Sequence, residues 1–220
     1  TLEEPPESVI IILLSEIIPK NQITIASRCQ QVQFNQISNS KMSDWLTQHV
    51  NDSQTIQLLI TAARGDIDRA KDLISDPNIA YRYELWKSTI ENLKPEGYAI
   101  ATSVNELQKA IDEAQEILAH KHEREMQDLL DDEKQLGIKT GIRSQLEATH
   151  KREIRRFRTD ELEFGFSIFA TIFQEQLRSK PDEGSLQAVN IIKKANRVMK
   201  RNTNEKLLLT SLLISLSELN

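Results

Sequence analysis

The sequence predicts a mainly helical protein with the remnant of an α/β domain at its start. Three observations carry that prediction. Glycine and proline occur six times each in 220 residues, about half the usual share, and all-β folds need more turn residues than that. From Met42 onward, apolar residues recur three and four apart, the spacing of a helix face. Before that point lies Ser8-Val9-Ile10-Ile11-Ile12-Leu13-Leu14, whose continuous β-branched run reads as a strand buried on both faces of a parallel sheet.

The elements follow in chain order. Thr1-Leu2-Glu3-Glu4 reads as a helix end stopped by Pro5-Pro6. After the Val9 to Leu14 strand, Gln31-Val32-Gln33-Phe34 alternates polar and apolar as a second short strand. Two strands cannot build a covered parallel sheet, so the chain is expected to lack the first part of an α/β domain. The alternative is a small hairpin-like cap on a helical protein. A compact three-helix unit follows over about residues 36–79. Ser43 or Asp44 is placed as the first cap. Asp52-Ser53 opens the next helix, with Ile56, Leu59, Ile60 and Ala63 on one face. Gly65-Asp66 separates it from a third, with Ile67, Ala70, Leu73 and Ile74 apolar, closed by Asp76-Pro77.

Residues 80–220 read as a larger helical bundle. Lys94-Pro95-Glu96-Gly97 is a break. Val104, Leu107, Ile111, Ala114 and Leu118 then form a narrow apolar seam. Beyond His120 the helix is almost wholly charged. A second break spans Gln135 to Gly141. The next helix, from about Arg143 to Leu177, carries Leu162, Phe166, Phe169, Phe173 and Leu177 on one face, widened by Ile168 and Ile172. Five of the six phenylalanines fall between Phe157 and Phe173, which makes this helix the anchor of the C-terminal core. Two helices close the chain, Leu186 to Met199 and Asn204 to Leu219. The latter carries Leu208, Leu212, Ile214 and Leu216.

Composition narrows the function. The net charge is -5, so any nucleic-acid contact has to come from a local patch. The longest aliphatic run is six residues, too short to span a bilayer. Cys29 is the sole cysteine, which excludes an intrachain disulfide and fits a reducing, cytoplasmic setting. There is no G-x-x-x-x-G-K-[ST] phosphate loop and no G-x-G-x-x-G. His120 and His122 sit two apart and face different ways on a helix, and His49 and His150 read as isolated surface histidines, so no metal site is expected.

Two groups of residues hold sharper content. Lys151, Arg155 and Arg158 share one face of a basic helix segment and are candidate phosphate or nucleic-acid contacts. The preferred reading pairs this segment with the acidic stretch Glu123 to Glu133 across a short glycine-containing loop. The other group is Thr24-Ile25-Ala26-Ser27-Arg28-Cys29-Gln30. An arginine beside a sheet edge offers a planar fork of donors to an anionic ligand, or else caps a helix carboxyl end.

Thr1-Leu2-Glu3-Glu4-Pro5-Pro6, the aliphatic run and Ser27-Arg28-Cys29-Gln30 together resemble bacterial DNA polymerase III clamp-loader subunits of the AAA+ class, the delta-prime and gamma/tau types in particular. The segment from His150-Lys151-Arg152-Glu153 to Arg158-Thr159-Asp160-Glu161-Leu162 is similar to the C-terminal region of delta-prime subunits. The resemblance implies that residues 1–35 end an AAA+ domain, 36–79 form its three-helix lid and 80–220 form the helical collar that assembles a five-membered ring. It implies an arginine finger at Arg28, reaching in trans to ATP-Mg held by a neighbouring subunit, with Ser27 and Cys29 shaping the loop. Ser15 falls near the sensor 1 position. No cofactor and no catalytic site are then expected in this chain itself. As a holoenzyme subunit it would be grouped with DNA-directed DNA polymerase. Implied partners are gamma/tau and delta subunits, and through the complex the sliding clamp and primed DNA, with no membrane.

Departures matter. The family's usual P-T-I-R before S-R-C is replaced by Ile23-Thr24-Ile25-Ala26. Asp68 stands where ATP-binding relatives often place a sensor 2 arginine, unless Arg69 replaces it. An acid near a γ-phosphate is unfavourable, which favours the delta-prime type. The alternatives are an ATP-hydrolysing gamma/tau-like subunit lacking its N-terminal part, or a helical nucleic-acid-binding module.

Overall fold

The computed structural model describes residues 8–15, 18, 22–136, 141–199 and 203–219. They are mostly helical, and no strand occurs among them. The helices are α1 (Ile23–Ala26), α2 (Asn39–Leu46), α3 (Ser53–Ala63), α4 (Ile67–Ile74), α5 (Ile79–Glu91), α6 (Gly97–Leu136), α7 (Ile142–Ser179), α8 (Glu183–Met199) and α9 (Glu205–Ser217). The chain divides into two compact units, Thr1–Gln36 and Ile37–Asn220.

In the first unit, the two expected strands are absent. Residues 9–14 and 31–34 carry no regular structure. Val9 to Leu14 are exposed, and Val32 and Phe34 with them. The reason is pairing. A strand exists only as part of a hydrogen-bonded ladder, and β-branched composition supplies no ladder by itself. The helix end at Thr1 to Glu4 lies outside the described residues.

In the second unit, local capping sets the first three helices. Ser38 caps α2, accepting from the Lys41 backbone N–H. The helix therefore begins before Ser43 and Asp44, which lie within it rather than at its cap. Asp52 and Asp66 cap α3 and α4 through the N–H groups of Thr55 and Arg69. Between α3 and α4, Arg64 (φ 53°) and Gly65 (φ 83°) are both left-handed, which reverses the chain within two residues.

α7 is the spine of this unit. α3, α5, α6 and α8 pack against it, and α9 closes against α6 and α8. One apolar core runs from Met42 and Leu46 through Trp86 and the phenylalanines to Leu216. Trp86 meets Phe166 and Phe169 edge-on, with ring centroids 6.5 and 5.3 Å apart. Gly165 lies directly under the Trp86 indole, where a β-carbon would come within 2.3 Å of the ring. The seam of Val104, Leu107, Ile111 and Ala114 is buried. In α9, Ile214 is exposed, and Leu209 and Leu213 are buried beside Leu208, Leu212 and Leu216.

Beyond Ala114 on α6 and before Glu161 on α7, the two helices leave the core. In those stretches the buried described side chains are His122 and His150.

Candidate functional site

The short helix α1 places the Ser27-Arg28-Cys29 group. Its single turn continues as reverse turns: Ser27 N–H donates to Ile23 O, Arg28 N–H to Ile25 O at 3.1 Å, and Cys29 N–H to Ala26 O at 3.2 Å. The Ser27 hydroxyl donates to Thr24 O at 3.0 Å. The backbone of the trio is thus fixed by local bonds. The side chains of Ser27, Arg28 and Cys29 are all exposed, and Cys29 is a free thiol. Arg28 sits at the end of a helical turn and not between two strands.

The second unit holds a charged hub joining α3 and α4 to α5 and α7. Glu161 of α7 is fully buried. It accepts from Arg82 Nε at 2.9 Å and from Arg69 Nη2 at 3.4 Å. Arg82, also buried, reaches Asp76 at 2.6 Å. Burial pushes the Arg82 guanidinium down, but its hydrogen bond to Asp76 and the charge of Glu161 outweigh that and hold it above the ordinary arginine value. Arg69 also donates to Ala62 O at 2.7 Å and meets Asp160 at 3.0 Å. Arg64 pairs with Glu163, and Arg156 with Asp66 at 2.7 Å. A buried cluster of this kind adds little net stability, since desolvation offsets attraction; its members are costly to remove singly. Its effect is to fix α4 and α5 in one register on α7.

Asp68, by contrast, is exposed and pairs with Lys71 at 2.9 Å. The arginine next to it in sequence, Arg69, has its donors committed to Ala62, Asp160 and Glu161.

The basic segment of α7 is split by the structure. Arg158 is drawn inward. It forms a fork with Glu205 at 2.6 and 3.0 Å and reaches Asp112 and Gln115 at 2.6 and 2.9 Å. The Glu205 hydrogen bond raises its proton affinity further. Lys151 and Arg155 are exposed and make no ion pair among the described residues. Arg158 therefore does not share a common open face with them.

His150 is not the isolated surface residue that the sequence suggested. It is buried and stacks on His122, with ring centroids 3.9 Å apart and planes 10° from parallel. Each ring donates through Nε2 to a carboxylate on the other helix: His122 to Glu153 at 2.8 Å, His150 to Glu125 at 2.9 Å. The His150 bond holds the Glu125 carboxyl below its usual range. These contacts bridge the acidic stretch of α6 and the basic stretch of α7, but through histidines rather than Lys151 or Arg155. A signal was available. His122 and His150 are each fourteen residues from Leu136, so a hairpin turning there brings them level. Among the described residues, no cluster of histidine, cysteine and carboxylate groups could hold a metal ion. No described helix is long and apolar enough to cross a membrane.

No curated protein and no solved structure matches the chain. Residues 1–38, which include Ser27, Arg28 and Cys29, match the family model described as DNA polymerase III, delta subunit, and so support a relation to the DNA polymerase III clamp-loader family.

Proposed function

We propose that this chain is a non-catalytic, delta-prime-like subunit of a DNA polymerase III clamp loader. In this reading residues 1–35 end an AAA+ domain, 36–79 form its lid and 80–220 form the collar that joins a ring of subunits. Arg28 is then an arginine finger that serves ATP-Mg bound by a neighbour. Its fixed charge stabilises charge developing on the transferred phosphoryl group.

The observation that carries the reading is the family match over residues 1–38, which contains an exposed arginine on a locally braced turn. The lid segment supports the non-hydrolysing type over the gamma/tau type. Asp68 is an acid, and Arg69 is held within the hub by Asp160 and Glu161. An acid at one position and an arginine already bound to two carboxylates at the next support a chain that does not hydrolyse its own nucleotide.

The test is Arg28→Ala in the reconstituted clamp loader. Assembly by gel filtration should be unchanged, and DNA-stimulated ATP hydrolysis at the served site should fall by about 10³-fold, as when other trans arginines are removed. Normal assembly with unchanged hydrolysis removes the finger assignment.

A further inference from the structure

We infer that the outer face of α8 is a docking strip for the phosphate backbone of duplex nucleic acid. The inference stands on α8 itself and does not depend on the role of Arg28.

The strip consists of Asn190, Lys193, Lys194 and Arg197, all exposed; Gln187, one turn earlier, donates to Glu183 at 3.2 Å and marks its end. At 100° per residue the three cations fall within about a quarter of the helix circumference, and Lys193 and Arg197 are about 6 Å apart along the axis. The opposite face, with Ala188, Val189, Ile192 and Ala195, is buried in the core. The cations are therefore held on a fixed platform.

Their electrostatic setting differs from that of five other lysines in this chain. Lys71, Lys87, Lys109, Lys121 and Lys134 each have a carboxylate one helical turn away within 4.0 Å. Lys193, Lys194 and Arg197 form no ion pair among the described residues. Residues 184–204 contain no aspartate or glutamate, in a chain that has 33 of them, and the basic run continues in sequence at Lys200 and Arg201. The neighbours one turn away from each cation include another cation, an arrangement that disfavours the helix. The helix dipole rewards Arg197 in the last turn but fades before Lys193. A concentration of unneutralised positive charge on an otherwise acidic protein calls for an external anion.

The chemistry of the strip selects among anionic partners. An interfacial membrane helix needs an apolar face to insert, and that of α8 is already buried. A protein interface draws its energy from aromatic and apolar anchors, and Leu186 is the only large apolar side chain exposed on α8. Single strands are gripped by stacking on aromatics, and α8 carries none. Lysine, arginine and side-chain amides on a straight helix are the donors that contact duplex phosphates.

The experiment is fluorescence anisotropy with the full chain and a labelled 20-base-pair duplex, titrated at several salt concentrations. The parent should bind with a linear salt dependence. Lys193→Gln/Lys194→Gln/Arg197→Gln should bind at least ~10-fold more weakly at 50 mM salt, with the slope of log K against log[salt] shallower by about 3. Lys151→Gln/Arg155→Gln on α7 should leave affinity within about twofold. Far-UV circular dichroism confirms the fold of each variant. If the triple variant does not fold, the three single variants decide, each lowering the slope by about 0.9. Absence of salt-dependent binding by the parent overturns the inference. So does a triple variant that keeps the parent's slope, or an equal loss from the α7 pair.

Discussion

Gly165→Ala tests the central helix packing of the molecule, because two effects of opposite sign compete there. In an isolated helix, replacing glycine by alanine stabilises by about 1 kcal/mol. Here the added β-carbon would stand 2.3–2.4 Å from three ring atoms of Trp86, against an ordinary contact of about 3.5–4 Å. The deficit is roughly 1 Å, and flexible side-chain ends are not what it meets. The Trp86 indole is wedged by Phe166 and Phe169, and the ring is buried. Either α5 separates from α7 or the indole leaves its rotamer. Overpacking of that kind costs up to about 3 kcal/mol, so the net expectation is a loss of about 2 kcal/mol. For a chain of this size that is a melting temperature lower by about 4–8 °C. Thermal melts by circular dichroism, checked by calorimetry, measure it. In a Trp86→Leu background the same glycine change should cost distinctly less. A variant that melts at or above the parent would show that α5 and α7 do not meet through Gly165, as would an equal cost in both backgrounds.

Two further predictions address the polar contacts. Glu161→Gln removes the buried charge that Arg82 and Arg69 share, and should lower stability by about 3 kcal/mol in urea denaturation; a change under 1 kcal/mol would mean the hub is hydrated and dispensable. Glu125 has its carboxyl lowered by the His150 hydrogen bond, so its contribution is present above the ordinary glutamate range near pH 4.3 and is lost as pH falls through the lower folded value. Between about pH 5 and pH 3 the parent should therefore lose more stability than Glu125→Gln does, and parallel pH profiles would remove the Glu125–His150 contact from the account.

The parts of the fold that were legible in the sequence are those governed by neighbours in the chain. Asp52 and Asp66 cap because an acceptor two or three residues ahead of a free N–H is a local matter. The phenylalanine face of α7 is written in its period. Even there, Ser38 took the cap expected of Ser43 or Asp44, since all three precede an apolar period and only the backbone decides which lies outside it. What depended on distant partners was not legible. Val9 to Leu14 has the composition of a buried strand, and composition cannot supply the neighbouring ladder. Arg82 and Glu161 are 79 residues apart, and neither helix pattern marks its polar residue as one that will be buried. The candidate site divides in the same way. The turn around Arg28 is local, and the resemblance in its residues agrees with the match over 1–38. Arg158 was grouped with Lys151 and Arg155 by helical phase, and it left them because Asp112 and Glu205 come from other helices.

The paired ends of α6 and α7 make a mechanical arm. About 22 residues of α6 extend past Ala114, a reach of about 33 Å at 1.5 Å per residue. A pivot of only 5° at the root would carry the tip through about 3 Å. Because two stacked imidazoles and their carboxylates clamp the arm partway along, it would swing as one stiff rod, transmitting motion of the bundle outward rather than absorbing it.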